Sequence, residues 1–152
     1  MKPEQALNIL AGQCSKKEIC SKDARQKLIK WEIQEEDIKK IMSFLFEHKF
    51  IDDERFARIY TEDKFRFNHW GKQKITMMLR QKGISQDIID DALSIIPTDN
   101  YTEHCMELLQ QKYRTLTEQD PYKLKAKLTR FAVGRGFDYD TVSKCLFQLL
   151  SD

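Results

Sequence analysis

The residues of this 152-residue chain best able to do chemistry are its bases, because they are sorted along the chain rather than scattered. From Lys64 to Gln86 there is no acidic residue, and that window holds Lys64, Arg66, Lys72, Lys74, Arg80 and Lys82 among Phe65, Phe67, His69 and Trp70. From Pro121 to Phe137 the pattern returns with Lys123, Lys125, Lys127, Arg130 and Arg135. An earlier stretch carries Lys22, Arg25, Lys27 and Lys30 against Asp23. Acids collect elsewhere, at Glu35-Glu36-Asp37, at Asp87, Asp90 and Asp91, and at Asp138 and Asp140. Bases so grouped suit a polyanion or an acidic protein surface. On nucleic acid they would act mainly on phosphates, giving salt-sensitive affinity with little sequence reading. The competing explanation is ordinary dipole matching, with acids at helix starts and bases towards helix ends. Lys123, Lys125 and Lys127 step by two and so fan around a helix. Recurrence of acid-free windows in matching places tips the reading towards a contact surface.

Catalytic and metal-binding patterns are not expected. His48, His69 and His104 fall in separate parts of the chain, none with a partner expected to complete a metal site. No phosphate-cradling GxxxxGK or GxGxxG loop is present. Asp52-Asp53 could suggest a metal, but at a helix start it reads as a cap. Cys14, Cys20, Cys105 and Cys145 form no CxxC pair, which fits a reducing cytoplasm. The expectation is a non-enzyme with no cofactor and no metal, cytoplasmic and away from membranes. No apolar run approaches the ~20 residues of a span. Trp70 reads as a packing plug rather than a stacking platform, and at most one of Phe65 and Phe67 can face a core.

The elements that must carry these charges are helices. Charged residues make up 33% and hydrophobic residues 41%, with only five Gly and three Pro, and apolar positions recur at steps of three and four. The spacing predicts helices over 4–18, 21–31, 35–48, 53–68, 72–82, 86–95, 101–114, 121–133 and 138–150. Asp52, Ser21, Ser85, Asp120 before Pro121, and Asp138 read as caps, and Asn100 with Glu103 as a capping box. Gly83 and Gly136 read as left-handed helix stops.

The pattern repeats. Offsets of 51 and then 53 residues carry Leu28 onto Leu79 and Ala132, Ile33 onto Ile84 and Phe137, Ile38 onto Ile89 and Val142, and Leu45 onto Ile96 and Leu149. Cys145 falls with Ile41 and Ala92 and so reads as a buried small residue. The fold predicted is all-α: three tandem three-helix repeats, 1–51, 52–99 and 100–152, stacked into an elongated array open to curvature. The second and third repeats, with the longest acid-free windows, are expected to do most of the binding.

Phe50-Ile51-Asp52-Asp53-Glu54-Arg55-Phe56-Ala57-Arg58-Ile59-Tyr60 resembles the central signature of the RecX family of recombinase regulators. Gly71 through Lys74-Ile75, Leu79 and Lys82-Gly83-Ile84 continues it, and Arg130-Phe131 with Arg135-Gly136-Phe137 resembles the family's C-terminal motif. Two departures are Ala132, where the family has a larger aliphatic residue, and Trp31-Glu32-Ile33, which lacks the glycine of the other repeats. The resemblance implies a helical, monomeric modulator that binds the RecA recombinase filamented on DNA. Such proteins mostly inhibit its ATPase, strand-exchange and coprotease activities in DNA repair, recombination and the SOS response, and bind DNA weakly. It also makes Asp52, Asp53, Arg55, Phe56, Ala57, Gly71, Gly83 and Gly136 a largely structural signature. Two alternatives come from the residues themselves. Lys72 to Leu93 has helix-turn-helix proportions, although Asp87, Asp90 and Asp91 on the would-be recognition helix repel phosphate. A helical adaptor for an unrelated protein is the other.

Overall fold

The computed structural model describes residues 1–151 and contains nine helices among them. They are α1 (Pro3–Lys16), α2 (Ser21–Lys30), α3 (Glu35–Glu47), α4 (Asp53–Asn68), α5 (Lys72–Gln81), α6 (Gln86–Leu93), α7 (Thr98–Thr115), α8 (Pro121–Gly134) and α9 (Tyr139–Leu150). No strand forms among the described residues. The helices pack in consecutive threes, and among the described residues no helix is long and apolar enough to cross a membrane.

Each group of three turns a corner between its second and third helices in the same way. Ile33, Ile84 and Phe137 donate their N–H groups back to the carbonyls of Leu28, Leu79 and Ala132, at 3.1, 3.1 and 3.2 Å. The residue before each takes the left-handed conformation: Glu32 (φ 61°), Gly83 (φ 77°) and Gly136 (φ 99°). This is the Schellman stop, which satisfies the last helical carbonyls and tucks the following apolar residue under the helix. Glu32 accepts the same geometry with a Cβ, which costs about 1–2 kcal/mol.

The repeat columns are the core. Leu28, Leu79, Ala132, Phe137, Ile89, Val142 and Leu45 are fully shielded, Ile33, Ile84, Ile38 and Ile96 nearly so, and Leu149 is half-buried. Ile41, Ala92 and Cys145 are buried together with their columns, as expected. The core is not one body, however. Residues of α4 to α9, with Cys20, form a single cluster. Residues of α1 to α3, with Ile51, form another. The chain exposes 9815 Å², against about 8,100 Å² expected of a compact monomer of its 18.1 kDa. That excess is the cost of stacking small units end to end.

Most expected caps form: Asp52 accepts from the Arg55 N–H at 3.0 Å, Asp120 from Tyr122 and Lys123 at 2.9 and 3.3 Å, and Asp138 from Thr141 at 3.0 Å. Ser85 accepts from Ile88 at 3.5 Å. Two expectations fail. Asn100 and Glu103 make no capping box, because α7 starts at Thr98 with Pro97 in the cap position. Ser21 is not the cap of α2; Cys20 holds that position without a side-chain cap bond, and the Ser21 N–H is met from another repeat.

Candidate partner-binding surface

The two junctions between repeats fix where the sequence's candidate residues point. At both, the N-terminus of a middle helix meets the next repeat's first helix and its left-handed turn. At the first junction the Ser21 N–H donates to Asp53 Oδ1 at 2.8 Å and its hydroxyl to Oδ2 at 2.6 Å. Asp53 therefore caps a helix of the preceding repeat while Asp52 caps its own. Arg55 pairs with Glu18 and also donates to the Lys49 and Phe50 carbonyls. Hydrogen bonding to Glu18 raises the Arg55 pKa. Lys22 Nζ donates to the Gln81 carbonyl at 2.8 Å and Lys82 Nζ to Asp23 Oδ2 at 2.7 Å. The Asp23 bond raises the Lys82 pKa above its ordinary value.

The second junction is built from backbone. Gly71 N–H donates to the Arg135 carbonyl at 2.8 Å and Gln73 N–H to the Gly136 carbonyl at 3.0 Å. Lys72 N–H donates to Tyr101 Oη at 3.1 Å. Burial pushes the Tyr101 phenol up to about 12, so it stays protonated. A Cβ on Gly71 would lie 2.3 Å from the Gly136 carbonyl, and one on Gly136 2.4 Å from Lys74 Cβ. Only glycines allow the two backbone segments to touch there. Phe56 and Ala57 are buried in the same large core.

With the frame set, the bases separate into two groups. Those between Lys64 and Lys82 are each engaged within the molecule. Lys64 and Lys74 place their ammonium groups 5.0 and 4.4 Å from the centre of the half-buried Trp70 ring, and Lys72 lies 5.0 Å from that of Tyr101. Arg66 pairs with Glu62 at 2.9 Å. Arg80 donates to Gln86, which in turn donates to Asp90, and Lys82 holds the first junction. Trp70 is thus the packing plug expected. Phe65 is buried whereas Phe67 is 75% exposed.

On α8 the outcome differs. Lys127 pairs with Glu118 at 3.3 Å, and Arg135 stacks on Phe131 at 4.8 Å. Lys123, Lys125 and Arg130 are exposed and make no ion pair among the described residues. Lys125 and Arg130 line a shallow groove with Tyr122, Thr129, Val133 and Tyr139. Tyr122 is 83% and Tyr139 64% exposed. The result is a basic, aromatic-edged surface made by α8 and the start of α9. The sequence expectation named its bases and missed its tyrosines. A signal was available: Tyr139 falls on Gln86 and Glu35 in the repeat alignment, so an aromatic stands in a polar column. Helices α5 and α6 are joined by a short turn through Gly83, but Asp87, Asp90 and Asp91 are exposed on α6.

One expectation is corrected outright. His69 and His104, expected apart, meet where α4 ends against α7, with ring centroids 5.5 Å apart. Their donor atoms and a carboxylate oxygen of Glu107 lie within 4.8 Å of one another. His48 lies elsewhere, against Phe44.

Comparison with known proteins agrees with this architecture. The family model described as the second three-helix domain of RecX matches residues 52–93, and that of the third three-helix domain matches 99–146. The regulatory protein RecX of Clostridium perfringens (strain 13 / Type A) is 36% identical over 133 residues, 86% of this chain and 62% of that protein. That of Clostridioides difficile (strain 630) is 30% identical over 149 residues, 97% of this chain and 67% of that protein. The chain thus spans under two thirds of the length of the Clostridium perfringens relative. The crystal structure of RecX from Lactobacillus salivarius superposes with a TM-score of 0.86 at 22% identity, covering 97% of this chain and 96% of that one.

Proposed function

The chain belongs to the RecX family, and from that premise we propose that it is a regulatory protein that binds RecA–DNA filaments and mostly inhibits them. Recombinase, ATPase and coprotease activities would all fall, with consequences for DNA repair and recombination. The observation that supports this most is the basic surface of α8, where Lys125 and Arg130 line a groove and neither they nor Lys123 make an ion pair among the described residues. An extended stack presents such a groove to a repetitive, acidic or phosphate-bearing surface, and complementary charge steers the encounter. Contacts by several repeats add avidity when geometry lets them engage together. Lys64, Arg66, Lys72, Lys74, Arg80 and Lys82 then contribute a secondary, internally braced field, with Arg135 and Lys127 at the edge of the main surface. Direct DNA binding would be weak and salt-sensitive, because it would rest on phosphate contacts. The protein acts as a monomer, without catalysis, in the cytoplasm where RecA works.

The test is RecA ATPase activity on single-stranded DNA with the purified protein added. The wild type lowers it, and the charge reversal K123E/K125E/R130E abolishes the effect while leaving the helical content unchanged. No inhibition at stoichiometric excess over RecA protomers would overturn the reading.

A further inference from the structure

The corner where α4 ends against α7 holds a cluster that the filament-regulator reading does not use. His69 follows the last turn of α4 in a left-handed conformation, φ 53°. His104 sits one helical step before Glu107 on α7, so both side chains lie on one face. Phe65 stacks on His104 with centroids 4.1 Å apart and seats that ring against the core. The Nδ1 atoms of His69 and His104 are both shielded from solvent and have no hydrogen-bond partner among the described residues. Buried polar atoms in a folded protein are otherwise nearly always satisfied. Two such atoms on adjacent rings mark a place where something else belongs.

We propose that His69, His104 and Glu107 form a binding site for a borderline divalent cation of the zinc class, bridging the second and third repeats. The geometry fits the chemistry. Two imidazoles on one tetrahedral ion, each with a metal–nitrogen bond of ~2.0–2.1 Å, hold their ring centroids about 5 Å apart; here they are 5.5 Å apart. The donor atoms lie within 4.8 Å of one another, so small rotamer changes bring them to coordination distance. Two nitrogens and one carboxylate oxygen select zinc, cobalt or nickel over magnesium or calcium, which take oxygen ligands. Glu107 is exposed and gives the ion a path from solvent. The fourth position falls to water.

Cobalt(II) titration of the full chain, read by visible absorption, tests the site. One equivalent is expected to give the d–d bands of tetrahedral nitrogen and oxygen coordination, and zinc is expected to displace it and raise the melting temperature where magnesium does not. Losing an outer-shell partner costs a metal site about 10–100-fold in affinity, and losing a ligand at least as much. H69N, in a residue type that tolerates the left-handed backbone, should therefore weaken binding at least about tenfold. E107Q, at an exposed position, should do so without disturbing the fold. Absence of stoichiometric binding would overturn the proposal, as would equal binding by wild type, H69N and E107Q. A sulfur-to-metal charge-transfer band would overturn it too, by placing the ion on the buried Cys105 and Cys145.

Discussion

The two junctions of this molecule solve one problem with different chemistry. In each, the unsatisfied N–H groups of a middle helix are presented to the next repeat's first helix and glycine turn. Between the second and third repeats the answer is backbone against backbone, through Gly71 and Gly136, with Tyr101 closing the gap and one continuous apolar core around it. Between the first and second, Cys20 stands where Gly71 stands in the repeat. No backbone–backbone hydrogen bond crosses here among the described residues, and side chains bridge the repeats: Asp53 to Ser21, Arg55 to Glu18, Lys82 to Asp23. Backbone contact leaves no room for adjustment, whereas long charged side chains can stretch, exchange with water and respond to salt. The second and third repeats therefore share one core, and the first meets it through the buried Cys20 and a set of polar side-chain contacts.

The largest effect expected from breaking this contrast is at Gly136. Gly136→Ala forces a Cβ into Lys74 at a left-handed residue, and should lower the unfolding free energy by about 3 kcal/mol or more in urea titration. Its counterpart Gly83→Ala meets only the flexible Lys22 side chain, at 3.2 Å, and should cost about 1–2 kcal/mol. Equal losses at the two glycines would remove the distinction between the junctions. Next comes Asp53→Ala, which uncaps α2 from a distance and should cost about 1–2 kcal/mol. Hydrogen exchange should show that loss in α1 to α3, with α4 to α9 unaffected. Glu32→Gly should stabilise the first repeat by between about 0.5 and 1 kcal/mol, since it relieves the left-handed Cβ and returns some of that gain as chain entropy. The smallest effect is electrostatic. A double-mutant cycle on Arg55 and Glu18 should give a coupling of about 1 kcal/mol or less that shrinks with added salt. Lys82 works in the same sense with pH. Asp23 holds its pKa above 10.5, so its contribution is complete below that value and is lost as the pH rises through the folded pKa. Alkaline titration should therefore loosen the first repeat first, seen as protease cleavage between α3 and α4.

Much of this was legible in the chain. Periodicity and caps place the helices to within a few residues, and the columns Leu28/Leu79/Ala132 and Ile33/Ile84/Phe137 name the core, because burial imposes the same demand on each repeat. What pairs across repeats was not legible. Asp53 reads as a first-turn acid suited to the dipole of its own helix, and only the tertiary approach of α2 turns it to Ser21. Gly71 reads as a turn residue, whereas its role is to let another backbone touch it. His69 and His104 are 35 positions apart and meet only through helix packing, though the His104–Glu107 step was visible. The bases were found by type alone, and sequence cannot separate Lys74, resting on Trp70, from Lys125, which makes no ion pair among the described residues. Tyr139 and Phe147 went unremarked although each stands in an otherwise polar column of the repeat, and both are exposed.

The most direct test of the account is an image of the protein bound along a RecA–DNA filament. It should show the second and third repeats as one unchanging body with the α8 groove facing the filament, and the first repeat varying in angle from copy to copy. A bound protein with α8 turned to solvent, or with the three repeats locked in a single arrangement and contact made through α1 to α3, would contradict it.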